Sequence, residues 1–288
     1  MPESSYTCPF CRIDSDGGLT CPHCGAPADV RVRTSGAGWV EQPPVRDMTR
    51  LRFSHSSCQI SGTYVPVAEM RLDAADSVYF THYALLHAEP GVELDLMRLP
   101  DGWQRSLAGL PVQIMTARGP GHLALSADEP GETIVVPLRP GHSIDVAEHR
   151  FLAATANVTY GWRPANIWFQ TKYEKMTEMH YPMGGRYFDR FEAGETPGLL
   201  LLHAPGSTFS RDLADGETVY VKPQSVVWKD RSAQASLHTE RMRGGQGFFM
   251  WVKLQGPGRV VIKSIFGAAG WRGDIVDSSP RTRHSWEP

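Results

Sequence analysis

The chain has 288 residues, 41% apolar and 21% charged, with a formal net charge of −2. That length and apolar content build one large or two ordinary domains around a sizeable core, and the near-neutral balance excludes a global field drawing in nucleic acid or an anionic membrane. No apolar run reaches the about eighteen residues of a membrane span, and Met1-Pro2-Glu3-Ser4-Ser5 lacks the basic and apolar regions of a signal peptide, so a cytoplasmic location is expected.

Residues 1–27 open with Cys8-Pro9-Phe10-Cys11 and, after a loop containing Asp14, Asp16, Gly17 and Gly18, continue with Cys21-Pro22-His23-Cys24-Gly25. Each Cys-x-x-Cys pair forms a tight knuckle whose backbone amides point at the sulfurs, and two knuckles offer four thiolates to one tetrahedral ion. The segment resembles the zinc-ribbon family in its short Cys-Pro-x-Cys form. Disulfides are the main rival, disfavoured in a reducing compartment, and a rubredoxin-type iron is the lesser one. With Cys8, Cys11, Cys21 and Cys24 filling four ligand positions, no place is open for a catalytic water, so a structural Zn2+ is expected. Cys58 has no partner at ligand spacing and reads as a small buried residue.

Residues 28–50 are rich in Pro, Gly, Ser and Arg with little periodicity and read as a flexible linker, with Trp39 and Val40 as its apolar exceptions. The main domain, residues 51–272, alternates in short apolar segments: Gln59 to Val67, Glu69 to Leu72, Ser77 to Phe80, Val92 to Met97, Val112 to Thr116, Thr133 to Leu138, Ile144 to Val146 and Phe151 to Tyr160. Glu217 to Val221 and Ser225 to Trp228 continue the rhythm, whereas Trp162 to Tyr181 fits either a strand pair or a short helix. Twenty-eight Gly and 22 Pro spread along the chain suit many strands joined by turns, and no long amphipathic helix is visible. Residues 273–288 read as a disordered tail.

Gly184-Gly185-x-x-Phe188-x-x-Phe191 leads to Pro197-Gly198 and the run Leu199 to Leu202; the pattern returns as Gly244-Gly245-x-x-Phe248-x-x-Trp251, Pro257-Gly258, then Val260, Val261 and Ile262. A weaker copy sets Ala108 thirteen residues before Gly121, the interval that separates Gly185 from Gly198 and Gly245 from Gly258. Glycine at fixed places marks the same turn in each copy of one supersecondary unit. Each unit reads as a β-hairpin turned by Pro-Gly, and three such units close around a shared interior. The expected fold is all-β, a compact β-sandwich or double-stranded β-helix-like domain of three related units behind the zinc ribbon.

These blocks, with Met70-Arg71-Leu72-Asp73-Ala74-Ala75-Asp76-Ser77-Val78 and Gly119-Pro120-Gly121, resemble the altered-inheritance-of-mitochondria protein twenty-four family over roughly residues 52 to 270. The resemblance implies a compact all-β domain of three related units and a non-enzymatic role in organising membranes or protein complexes. The first copy departs from the pattern at Leu107-Ala108.

Catalytic patterns are missing from the sequence: it has no His-x-His, no Gly-x-Ser-x-Gly, no His-Glu-x-x-His and no phosphate-cradling Gly-rich loop with Lys. His82, His87, His142, His149, His180 and His203 lack a ligand spacing and read as surface or satisfied core histidines; no catalytic or cofactor-binding residue is assigned. Residues 1 to 50 hold five basic and six acidic side chains, too balanced for phosphate contacts. The expectation is a non-enzymatic scaffold or adaptor with protein partners, a homo-oligomer with peripheral membrane association as one mode of docking. A nucleic-acid-binding ribbon protein and a ligand-binding or enzymatic β-barrel are the alternatives.

Overall fold

A computed structural model describes residues 5–264, apart from 17, 29–33, 49, 98, 100–112, 174–175, 242 and 244–246, together with 275–277 and 283–285. Among the described residues there is no α-helix. The ribbon carries β1 (Tyr6–Thr7) and β2 (Asp14–Ser15), followed by β3 (Val40–Glu41), β4 (Leu51–Phe53) and β5 (Ser56–Ser61). A first unit then contains β6 (Val67–Leu72), β7 (Ser77–Thr81), β8 (Leu85–Ala88), β9 (Glu93–Leu96), β10 (Ile114–Arg118) and β11 (Gly121–Ser126). The second has β12 (Glu132–Leu138), β13 (Ser143–Ala147), β14 (Phe151–Thr155), β15 (Val158–Pro164), an inserted pair β16 (Phe169–Tyr173) and β17 (Met176–His180), then β18 (Tyr187–Ala193) and β19 (Gly198–Ala204). The third comprises β20 (Thr208–Leu213), β21 (Thr218–Val221), β22 (Val226–Asp230), β23 (Gln234–Arg241), β24 (Gly247–Gln255) and β25 (Gly258–Lys263). The stretch that fits strand pair or helix alike is thus a strand pair.

All three units follow one pairing scheme. The first strand pairs with the sixth, the sixth with the third, the second with the fifth and the fifth with the fourth. Each unit is therefore a small sandwich of two three-stranded halves. The expected hairpin at each Pro-Gly turn does not form: β10 and β11, β18 and β19, and β24 and β25 lie in different sheets. The strand after each turn pairs instead with the first and third strands of its own unit, so the chain crosses to the facing layer.

Between units, halves merge edge to edge: β7 pairs with β14, and β13 with β22. The result is four layers, ordered β4-β5-β6-β11-β8, then β12-β19-β14-β7-β10-β9, then β15-β18-β13-β22-β25-β20-β3, then β21-β24-β23. Three apolar cores fill the spaces between them. The run Leu199 to Leu202 explains itself in this stack: Leu199 and Leu201 face the first core, Leu200 and Leu202 the second, and all four are buried. A strand buried on both faces reads as continuous apolar sequence, and each such leucine contributes about 1.5–3 kcal/mol.

The stretch 28–50, expected as a flexible linker, is more ordered where it is described. Val40 pairs with Ser210 and Glu41 with Phe209, Trp39 packs on the third core and Val45 enters the first. Isolated apolar residues in a Pro/Gly-rich stretch suffice to dock it once a sheet edge lies alongside. Of the tail expected to be disordered, β26 (Ile275–Asp277) pairs with β24 and β27 (Arg283–Ser285) with β16, while 273–274, 278–282 and 286–288 lie outside the described residues. Ala108, Gly244 and Gly245 of the repeat also lie outside them.

Candidate metal centre

The two Cys-x-x-Cys knuckles are built alike. In each, the residue after the second cysteine takes a positive φ (Arg12 at 59°, Gly25 at 71°) and its N–H donates to the carbonyl of the first, Arg12 to Cys8 at 2.9 Å and Gly25 to Cys21 at 2.9 Å. Pairing of Cys8 N with Ile13 O and Cys21 N with Ala26 O closes both turns. The four sulfurs lie within 4.8 Å of one another, with Cys8 to Cys24 at 3.6 Å and Cys11 to Cys21 at 3.7 Å. A disulfide needs about 2.05 Å, whereas a tetrahedral ion with bonds of about 2.3 Å sets sulfurs about 3.8 Å apart. The cluster therefore has the dimensions of a metal cage.

Its electrostatics agree. Hydrogen bonding to Cys11 pulls Cys8 down to about 7 and holds Cys21 low as well, while the bond with Cys21 pushes Cys11 up and the bond with Cys11 pushes Cys24 up. Four crowded thiols cannot all become thiolates without a cation to neutralise them. Cys8, Cys21 and Cys24 are buried with Phe10 and Ala26, and Ser15 Oγ stands 3.4 Å from Cys21 Sγ. All-sulfur donors in a closed, buried set fit a structural zinc.

The ribbon is fastened to the main domain by a charged clasp absent from any motif. Arg259 at the start of β25 donates from its guanidinium to the carbonyls of Phe10 and Pro9 and to Asp212, at 2.8 and 3.1 Å for the last. Arg12 reaches back to Asp212 and lies 3.8 Å from Asp230, whose carboxylate accepts the Arg259 N–H at 2.7 Å and faces His142 Nε2 at 2.9 Å. Met48 and Val135 add apolar contact to the ribbon core.

A second buried cluster joins units two and three. Asp145 in β13 accepts from Arg163 at 2.8 Å, from Arg190 at 2.9 Å and from Lys229 in β22 at 2.8 Å. The fully buried Lys229 ammonium also donates to Ala233 O at 2.6 Å and Asp230 O at 3.3 Å, which satisfies its three protons. Burial alone raises a carboxyl's pKa, but donors from Arg190, Lys229 and Arg163 hold Asp145 below the ordinary range.

The histidines divide. His142 pairs with Asp230, and His180 Nε2 lies 2.7 Å from Thr171 Oγ1. His203, expected to be a surface or satisfied core residue, is 6% exposed with no hydrogen-bond partner on either ring nitrogen. It lines a cleft of about 330 Å³ with Tyr83, Asp128, Glu129, His149 and Arg150. Burial, reinforced by Arg150, lowers its pKa to about 4, and burial lowers nearby Lys263 to about 8. Its position at the end of an all-apolar strand gave the only sequence signal. Cys58 is fully buried in the first core, where burial pushes its thiol up to about 12.

A family model described as mitochondrial biogenesis AIM24 matches residues 58–265. A search of curated proteins finds no match. Among solved structures, a protein of Streptococcus pyogenes determined by a structural-genomics consortium is similar, with a TM-score of 0.54 and 21% identity over 73% of this chain and 94% of that one. No helix of the described residues is long and apolar enough to cross a membrane.

Proposed function

This chain belongs to the mitochondrial biogenesis AIM24 family, and from that premise we propose that it is a non-enzymatic scaffold or adaptor that self-associates and docks a protein complex, peripheral membrane contact included. The observation that carries the reading is where its buried charge goes. Asp145 and Lys229 tie unit to unit, and Arg259, Asp230 and Arg12 tie the ribbon to the third unit. Charge desolvated in this way positions parts of a chain against one another. In this reading a structural zinc on Cys8, Cys11, Cys21 and Cys24 holds the ribbon as a second interaction module, in the cytoplasm. The test is light scattering on the full chain across a hundredfold concentration range. A mass above 31.9 kDa that grows with concentration is expected; a monomer at every concentration contradicts the self-association half.

A second reading, binding of a small anion, is favoured by the His203 cleft, where the Arg150 Nε and both His203 nitrogens lack partners. Calorimetric titration with inorganic phosphate tests it, a signal abolished by Arg150→Ala being the supporting result and no heat the contrary one.

A further inference from the structure

We propose that copies of this chain join head to tail, the outer edge of β21 in one copy adding to the outer edge of β8 in the next, so that the seam already used twice within the chain is made again between chains. The proposal rests on the self-association half of the function above and names its surface.

Inside the chain, the second strand of each unit pairs antiparallel with the third strand of the unit that follows. In the first seam Val78, Tyr79 and Phe80 face Thr155, Ala154 and Ala153. In the second, Ile144, Asp145 and Val146 face Asp230, Lys229 and Trp228. The same two positions remain at the ends of the stack: β21, the second strand of the last unit, and β8, the third strand of the first. Among the described residues neither has a strand on its outer side. Such an edge is a template for another chain.

Burial points the same way. All three third strands skip one residue against their sixth strand, at Leu86, Leu152 and Val227. Leu152 is 1% exposed and lies in the core of the first unit; Val227 is 0% exposed and lies in the core of the second. The skipped residue therefore plugs the unit before its own. Leu86 has no earlier unit in its chain and is 60% exposed. On the facing strand Tyr79 and Asp145 are buried at 3% and 0%, yet the equivalent Tyr220 is 48% exposed.

Carrying the internal register across the ends sets Val219, Tyr220 and Val221 against Glu89, Ala88 and His87 of the next copy. The central pair, Tyr220 with Ala88, repeats the residue types of Tyr79 with Ala154. Leu86 of the next copy then meets the third core beside Val221 and Leu254. Because the two edges differ, the contact is heterologous and propagates until it closes into a ring or continues as a filament.

The experiment uses the full chain with Leu86→Glu and Tyr220→Glu, both exposed positions whose circular dichroism should match the parent. In sedimentation velocity the parent is expected to run as a multiple of 31.9 kDa and each variant alone as a monomer. An equimolar mixture of the two variants should form a two-chain species and nothing larger, since each keeps one intact edge. Variants that assemble like the parent overturn this seam and leave self-association standing. A mixture that stays monomeric overturns the head-to-tail arrangement, and a monomeric parent overturns the seam and the self-association half together.

Discussion

Asp145 is buried and holds three cations, so its loss is costly. Asp145→Ala leaves the Lys229 ammonium buried without its anion, so a loss of about 3–5 kcal/mol is expected in urea denaturation. Because its folded pKa is depressed, the stability it adds is complete above the unfolded value near 3.9 and disappears as pH falls through the lower folded value. His203 acts in a different window. Its folded pKa of about 4 lies under the unfolded value near 6.5, so its stabilisation is full above about pH 6.5 and declines as pH drops toward 4. His203→Gln should flatten the thermal midpoint over that range, and an unchanged pH slope contradicts the assignment. The cysteine quartet was legible because ligand spacing is local. Asp145, Lys229 and Arg259 were not, since a charged residue in a short strand reads as outward-facing until both faces are known to be covered.

Turns decide the elements. Gly119 and Gly256, before Pro120 and Pro257, pass so close to Asp73 and Ala214 that a Cβ would strike their carbonyls, and each donates its N–H to the neighbouring turn, at Asp76 O and Glu217 O. Gly256→Ala is expected to cost more than about 1 kcal/mol, measured as a shift in denaturation midpoint, with the equivalent Gly119→Ala behaving alike. The regular interval in the sequence identified these turns but not their direction. Whether a Pro-Gly turn folds a strand back on itself or sends it to the facing layer depends on partners far along the chain, β6 and β8 for β11, which no local pattern contains. In the proposed reading the fold of the ribbon rests on the ion held by Cys8, Cys11, Cys21 and Cys24. Cys24→Ala or chelation should release one zinc per chain and unfold residues 6–28, because metal binding worth about 10–16 kcal/mol is the folding energy of so small a unit. Metal analysis with circular dichroism checks both at once.

At the scale of the whole molecule, three copies of one six-stranded unit share sheets, so that each interior layer belongs to two units and has an apolar core on each side. Repetition of this sort gives quasi-one-dimensional stability, each unit depending on its neighbours, and it leaves the two ends chemically unlike. The all-β class and the three-fold repetition were readable from glycine placement and apolar alternation; the edge-to-edge merging was not, because it links strands of different units. Native mass spectrometry of the full chain is the direct test of whether repeated units continue from one copy to the next. Species at integral multiples of 31.9 kDa are expected, each chain carrying one zinc. A single 31.9 kDa species at every concentration contradicts that continuation.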